Sequence, residues 1–467
     1  MDFQLITNIL YWGFLTYFMS LYGSYILLNI VASLSLSHYM REHSISHLPA
    51  MSSGFEIPVS IIVPAYNEEA TIISSVHALL QLNYPQLEII VINDGSTDNT
   101  LQILIDEFAM LPFAEAYRVR LQTKPIRGVY LSSRHSNLRV IDKHNGGKAD
   151  ALNAGINSAR FPLFCGVDAD SVLQSDSIGH VVQPFLLDHN VVAAGGTVRI
   201  ANGCEFKSGF LQKAGLPKNP LALIQVTEYL RAFLFGRLGW SPINAVLIIS
   251  GAFGIFRKET VVDMGGYRTD TIGEDMELVV RIHKKLRKDN KKYRIVFVPD
   301  PVCWTEAPED FTTLKNQRVR WQQGLSESLM MNRELLFSRN GGAPGWIAFP
   351  YMLIFEWLGP VIEVLGFCFI FSGLYFGFVD NTMAVAFFLI AVGFGVLTSV
   401  IALLLEELSF HVYPKFTSIL KLFFAAIIEN FGYRQISAMW RVIGLTKWIL
   451  GKKHHWGTMK RSGNWQN

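Results

Sequence analysis

Asp168-Ala169-Asp170 follows the apolar run 163–167, so two carboxylates with one small residue between them leave the same strand end and can face one hard cation. An ion such as Mg²⁺ is commonly held by one or two carboxylates, substrate phosphate oxygens and water. Taken alone, the tripeptide also suits a solvated loop; its place at a strand exit is what points to a metal. Asp94, in Ile92-Asn93-Asp94-Gly95-Ser96-Thr97, leaves another strand just before a helix that Ser96 or Thr97 could cap. An acid there can accept hydrogen bonds from a nucleotide base or ribose, and an ordinary strand-to-helix turn is the competing reading. Lys148 follows Asn145-Gly146-Gly147 and opens a helix. Glycines let the backbone approach a ligand, and backbone N–H groups, the helix dipole and the ammonium can all meet a diphosphate.

Gly273-Glu274-Asp275 starts an amphipathic pattern with Leu278, Ile282 and Leu286 on one stripe. The helix dipole alone favours acids in a first turn, but a carboxylate beside an apolar face can also be tuned to take a proton from a hydroxyl. Gln317, Arg320 and Trp321, spaced three and four apart, share one side of a helix. Arginine suits a departing diphosphate, and tryptophan offers a flat face to a sugar ring. An interface helix anchored by its tryptophan has the same pattern.

These residues need a scaffold. Apolar runs at 59–63, 88–92, 138–141 and 163–167 alternate with helical patterns at 69–80, 97–108 and 148–158. This rhythm predicts an α/β domain with a mostly parallel, doubly wound sheet, whose ligands bind beyond the carboxyl ends of the strands. The acids and glycines named above lie at those ends. No GxGxxG follows the first strand, which argues against a dinucleotide cofactor.

Half of the 467 residues are hydrophobic, only 17% are charged and the mean hydropathy is +0.27, which favours a membrane protein. Residues 5–36, 346–378 and 383–405 are nearly uncharged and long enough to cross a hydrocarbon core of roughly 30 Å. Residues 416–450 carry Lys421, Glu429, Arg434, Arg441 and Lys447 and read either as interface helices or as two irregular spans. Basic residues cluster at Arg41, in the central domain and in the tail at Lys452, Lys453, Lys460 and Arg461, so these parts are expected on the cytoplasmic side. The expected plan is a transmembrane helix over 1–40, a catalytic domain over 55–310, interface helices over 311–340, transmembrane and interface helices over 346–450, and a cytoplasmic tail over 451–467. Glu356 and Glu363, seven apart in an apolar stretch, either line a polar path or pair with another helix; Pro350 and Pro360 predict a kink.

The net charge is only +3, but Lys124, Arg127, Arg134, Arg139, Lys143 and Lys148 cluster and suggest an anionic ligand rather than nucleic acid. The spacing of Cys165, Cys204, Cys303 and Cys368 indicates neither a disulfide framework nor a zinc site.

Pro64-Ala65-Tyr66-Asn67-Glu68, Asp94, Asp168-Ala169-Asp170, Glu274-Asp275 and the QxxRW motif at 317–321 occur in the order found in processive family 2 glycosyltransferases. Over residues 55–335 the chain resembles bacterial poly-N-acetylglucosamine synthases and, more distantly, chitin, hyaluronan and cellulose synthases. The resemblance implies a GT-A fold between N- and C-terminal transmembrane segments of a multi-pass inner or plasma membrane protein with a cytoplasmic catalytic domain. It implies an inverting transferase that polymerises a β-linked polysaccharide from a UDP-sugar, with UDP-N-acetylglucosamine the expected donor, and secretes it. By resemblance, Tyr66 and Glu68 contact the uracil, Asp94 the nucleotide and Lys148 the diphosphate region. Asp168 and Asp170 hold UDP-bound Mg²⁺ or Mn²⁺, with Asp170 the closer ligand. Asp275 is the general base beside Glu274, Arg320 binds the diphosphate, and Trp321, Gln317 and, more weakly, Ser250-Gly251 adjoin the acceptor.

The implied partners are the UDP-sugar donor, the growing polysaccharide and membrane lipid, with export or modification proteins also compatible. Gly273 stands where the family has a threonine, which loosens assignment to the cellulose branch. The tail after Leu450 is too short for a cyclic-di-GMP-binding PilZ domain. Two other readings remain open at this point: a non-processive enzyme adding one sugar to a lipid, and a catalytically silent membrane scaffold or transporter subunit.

Overall fold

The computed structural model describes residues 3–45, 56–114, 118–207 and 210–452. Most of the expected tail, including Lys453, Lys460 and Arg461, lies outside the described residues. Twelve strands follow in chain order: β1 (Val59–Ala65), β2 (Leu87–Asp94), β3 (Met110–Pro112), β4 (Ile126–Ser132), β5 (Leu138–Lys143), β6 (Leu163–Val167), β7 (Val172–Leu173), β8 (Val191–Ile200), β9 (Glu205–Lys207), β10 (Phe210–Lys213), β11 (Phe253–Arg257) and β12 (Arg294–Thr305). All but β9 and β10, which pair with each other, form one sheet in the order β3-β4-β5-β2-β1-β6-β11-β8-β12-β7.

The four apolar runs legible in the sequence are the parallel centre β5-β2-β1-β6. Every residue of β2, β5 and β6 is buried, as expected where helices cover both faces, and charged residues among them pair across the β2–β5 ladder, Glu88 with Arg139 and Asp94 with Lys143. The chain reverses order between β1 and β6, and that switch point opens the crevice where the acids converge. The sheet is mixed rather than simply parallel: β11 inserts antiparallel between β6 and β8, and β4 runs antiparallel to β5. The first two helices start later than their patterns predicted, at Ile72 and Thr100, and Asn99, not Ser96 or Thr97, precedes the second. The polar residues before them are spent instead on tying strand ends together.

A single helix over Phe3–Ile45 serves two environments. Its first half packs on the later apolar helices, with the Tyr11 hydroxyl donating to the Met383 carbonyl at 3.0 Å and Phe18 edge-on to Phe387 at 5.3 Å. Its second half inserts Ala32 and Leu36 into the core of the sheet domain, and the Tyr39 hydroxyl donates to Asp300 at 2.6 Å. The membrane-facing and catalytic parts therefore share one rigid rod.

Among the described residues, four helical stretches are long and apolar enough to cross a membrane: Phe3–Arg41, Gly359–Phe376, Asn381–Ser409 and Phe416–Ile449. The fourth behaves differently from the others. It breaks at Phe431 and Gly432, and it touches the sheet domain's own helices repeatedly. Glu429 accepts from Thr227 at 2.8 Å, the Tyr433 hydroxyl donates to Glu228 at 3.0 Å, Arg441 donates to Gln322 at 2.9 Å and Gln323 donates to the Lys452 carbonyl at 3.2 Å. These contacts fall on two helices, the middle of the stretch meeting Pro220–Tyr229 and its end meeting Phe311–Met331. Both readings of 416–450 accommodate these contacts, and the stretch is apolar enough to cross a membrane. The kink expected near Pro360 separates a helical segment ending at Trp357 from Gly359–Phe376. Glu356 meets Arg441 at 3.0 Å and Glu363 meets Arg434 at 3.2 Å, so both carboxylates bridge helices.

Candidate active site

The exit of β1 is stapled to the exit of β2. Asn67 adopts φ 56°, its backbone N–H donates to Ser96 Oγ at 3.0 Å, and its side-chain oxygen accepts from Thr97 N at 2.8 Å. The Glu68 N–H donates to Thr100 Oγ1 at 2.9 Å, while Glu68 Oε2 accepts from the Thr71 hydroxyl at 2.8 Å. Tyr66 projects from this fixed loop and is 46% exposed, enough ring surface for a planar base to stack on.

Asp94 is buried and fully engaged. It faces Lys143 across the β2–β5 ladder, and Lys143 Nζ lies 2.5 Å from it and 2.6 Å from Asp150. Its two oxygens also accept from Gly146 N at 3.0 Å and Gly147 N at 2.7 Å. Gly147 sits at φ 88°, a conformation that side chains with a Cβ rarely adopt. Asp94 thus shapes the turn that delivers Lys148 to the head of its helix, Lys148–Ser158.

Lys148 forms an ion pair with Asp168 at the end of β6 and points its Nζ to within 3.5 Å of the Gly251 carbonyl. Asp168 and Asp170 are both half-buried. On the opposite wall, Gly251 N donates to Asp275 Oδ2 at 3.1 Å and Met276 N donates to Asp275 Oδ1 at 2.8 Å. Lys148, Ser250, Gly251, Glu274 and Asp275 line one small cleft. A Cβ at Gly251 would come within 3.2 Å of Lys148 Nζ, so any larger residue would crowd the cation.

Burial pushes Glu274 up to about 7; Lys148 opposes the shift and Asp275 adds to it. Burial alone would lower Lys148, but Asp168, Glu274 and Asp275 outweigh it and hold the ammonium above its usual value. The raised Glu274 value has a defined sign. Its contribution to stability is fully present below the ordinary carboxylate pKa and is lost as pH rises through about 7. Glu274→Gln, which stays neutral, is expected to flatten the fall in Tm between pH 5 and pH 8 seen in wild-type protein; a Tm series in detergent checks it.

The helix Phe311–Met331 starts at Asp310, whose carboxylate caps Thr313 N at 2.9 Å. Gln317 is buried, Arg320 half-buried, and Trp321 36% exposed. Arg318, between them, pairs with Glu228 at 2.7 Å and lies 4.5 Å over the Trp321 ring, fixing the indole from one side. Phe233 contacts that indole at 5.8 Å. Sequence reasoning missed Glu228 and Phe233, because an acid and an aromatic at helical spacing read as ordinary surface and core. It also missed the role of Lys143 as Asp94's partner, although the basic cluster around it was visible.

Residues 60–259 match the model for glycosyl transferase family 2, and residues 166–398 match that for glycosyl transferase family group 2. The chain is 32% identical over 318 residues to a poly-beta-1,6-N-acetyl-D-glucosamine synthase of Staphylococcus aureus, covering 67% of this chain and 64% of that protein. It is 31% identical over 273 residues to the enzyme of the same name from Staphylococcus epidermidis, covering 58% and 55%. The aligned parts thus span somewhat over half the length of these curated relatives. Among solved structures, the mannosyltransferase PcManGT from Pyrobaculum calidifontis, in complex with GDP-Man and Mn²⁺, is similar at 18% identity and a TM-score of 0.48, covering 93% of this chain and 100% of that one.

The mixed sheet, the strand-end acids and the two family matches define a glycosyltransferase domain of the family 2 group with GT-A architecture, flanked by apolar helices. The particular proteins it resembles are bacterial poly-β-1,6-N-acetyl-D-glucosamine synthases.

Proposed function

We propose that this chain is a membrane-embedded, processive, inverting glycosyltransferase that polymerises N-acetylglucosamine from UDP-N-acetylglucosamine and passes the product across the membrane. The observation that carries this reading is that the Lys148–Asp168 ion pair and Asp275 meet at Gly251, with the helix that carries Trp321 packed through Gly324 on Gly273 at the head of the Asp275 helix. A non-processive transferase would share the acids. A Trp321 platform braced by Arg318 and joined to the membrane helices favours retention of a long acceptor.

Among the described residues no cluster of three or more His, Cys, Asp or Glu could hold a metal unaided. Asp168 and Asp170 offer hard oxygens from one strand end, which fits a divalent ion completed by diphosphate oxygens and water. When bound, Mg²⁺ or Mn²⁺ supplies charge neutralisation to the leaving diphosphate. Lys148, now paired with Asp168, is free to turn to the diphosphate once the donor arrives, and Arg320 approaches it from the interface helix. Tyr66 and Glu68 flank the base, with Asp94 holding the Gly146-Gly147 turn. Asp275 accepts the proton of the acceptor hydroxyl. The new bond forms from that oxygen to the anomeric carbon as the bond to the β-phosphate oxygen breaks, so an α-linked donor gives a β-linkage and UDP departs.

One span before the domain and two after it, with 416–449 lying at the interface, would keep the domain and the tail on the cytoplasmic side, in keeping with their basic residues. Purified protein is expected to release UDP from UDP-N-acetylglucosamine faster than from UDP-glucose or UDP-glucuronate in the presence of Mn²⁺ or Mg²⁺. Equal inertness toward all three donors would end this reading.

A further inference from the structure

Residues 220–240 hold none of the sequence motifs named above, yet they pack on the helix that carries Trp321, through Phe233 and through Glu228 with Arg318. The segment is α-helical over Pro220–Tyr229, π-helical over Leu230–Phe235 and α-helical again over Gly236–Trp240. Tyr229, Phe233 and Arg237, at intervals of four, fall on one face. The rings of Tyr229 and Phe233 are 4.3 Å apart, Phe233 is 5.8 Å from Trp321, and the Arg237 guanidinium lies 4.6 Å over Phe233.

Arg237, half-buried as a residue, is unlike three other arginines that face the interior. Arg318 pairs with Glu228, Arg231 with Glu429 and Arg199 with Glu406. Arg237 makes no ion pair among the described residues, and its Nη1 is buried without a hydrogen-bond partner. Burial lowers its pKa to about 10 against the opposing pull of Asp275, so it remains a cation at neutral pH. An unused buried donor is costly, which points to a ligand that satisfies it. A contact ion pair with Asp275 would stabilise that carboxylate in its charged form and make it a poorer base. Acid and cation instead act on each other from a distance.

We propose that Arg237 and Phe233 form an acceptor contact beside Trp321. The Phe233 ring extends the apolar platform, and the Arg237 guanidinium donates hydrogen bonds to an oxygen of the acceptor's terminal sugar, holding its nucleophilic hydroxyl toward Asp275. The ligand is a neutral, oxygen-rich saccharide rather than the diphosphate: Arg237 lies over the aromatic face of Phe233, and the diphosphate side already has Lys148. This inference rests on the polymerase reading above.

The test uses the full chain in membrane vesicles, with UDP-N-acetylglucosamine and short β-1,6-linked N-acetylglucosamine oligomers each varied in turn. Losing hydrogen bonds from a charged donor is expected to raise the acceptor KM of Arg237→Gln about 10- to 100-fold, with the donor KM moving by less than about twofold. Arg237→Lys should recover part of the loss, and Phe233→Leu should shift the acceptor KM in the same direction. An unchanged acceptor KM in both Arg237 variants, or a rise confined to the donor KM, would overturn the assignment while leaving the polymerase reading intact. Wild-type protein that extends no saccharide acceptor would overturn both.

Discussion

Asp275→Asn protein is expected to fold, bind UDP and lose transfer activity by about 10³-fold, the usual scale for removing a general base. Asp275 opens the helix Glu274–Lys288, whose buried Leu278, Ile282 and Leu286 fix it against the core. Its carboxylate is aimed by two backbone donors, Gly251 N and Met276 N. An asparagine keeps one acceptor oxygen and turns an NH₂ toward the other N–H, which costs about 1–2 kcal/mol locally and leaves the helix in place. What it cannot do is take a proton. Single-turnover transfer, with UDP affinity and Tm measured on the same preparation, separates loss of chemistry from loss of fold. Near-normal polymer synthesis by folded Asp275→Asn protein would remove Asp275 from the mechanism.

Lys148→Met should have the second largest effect, a fall in kcat/KM of about 10²- to 10³-fold, comparable to deleting one preorganised charge stabiliser. The same ammonium pairs with Asp168 and offsets the burial of Glu274. On the proposed mechanism its removal takes one of the cations from the leaving diphosphate, and it pushes Glu274 further toward the protonated form. UDP binding should weaken as well. If kcat/KM fell less than about tenfold, Lys148 would be a structural partner of Asp168 rather than a ligand of the diphosphate.

The central strands were legible because β2, β5 and β6 are buried on both faces and so carry runs of apolar residues, Ile89–Ile92 in β2 among them. β12 was not, since Pro299 and Pro301 interrupt it; the sheet accommodates them through register shifts on either side of Pro301. β11 is only five residues long, and its antiparallel place between β6 and β8 depends on partners far away in the chain. The acids at strand ends could be found from their positions alone. Their partners could not. Asp94 meets Lys143 because β2 and β5 lie in register, and Arg318 meets Glu228 because a helix 90 residues earlier packs on the QxxRW helix. Periodicity reports which face of an element is buried, but not which distant element covers it. That is also why the sequence of 416–449, apolar enough to span, does not show that its far half meets Glu228, Gln322 and Gln323.

The most direct measurement is to incubate inverted membrane vesicles containing the full chain with labelled UDP-N-acetylglucosamine and Mn²⁺ or Mg²⁺, then size the product and test its protection inside the vesicles. A high-molecular-mass, vesicle-protected polymer of N-acetylglucosamine is the expected result. A lipid-soluble product carrying a single sugar would contradict it and establish the non-processive alternative.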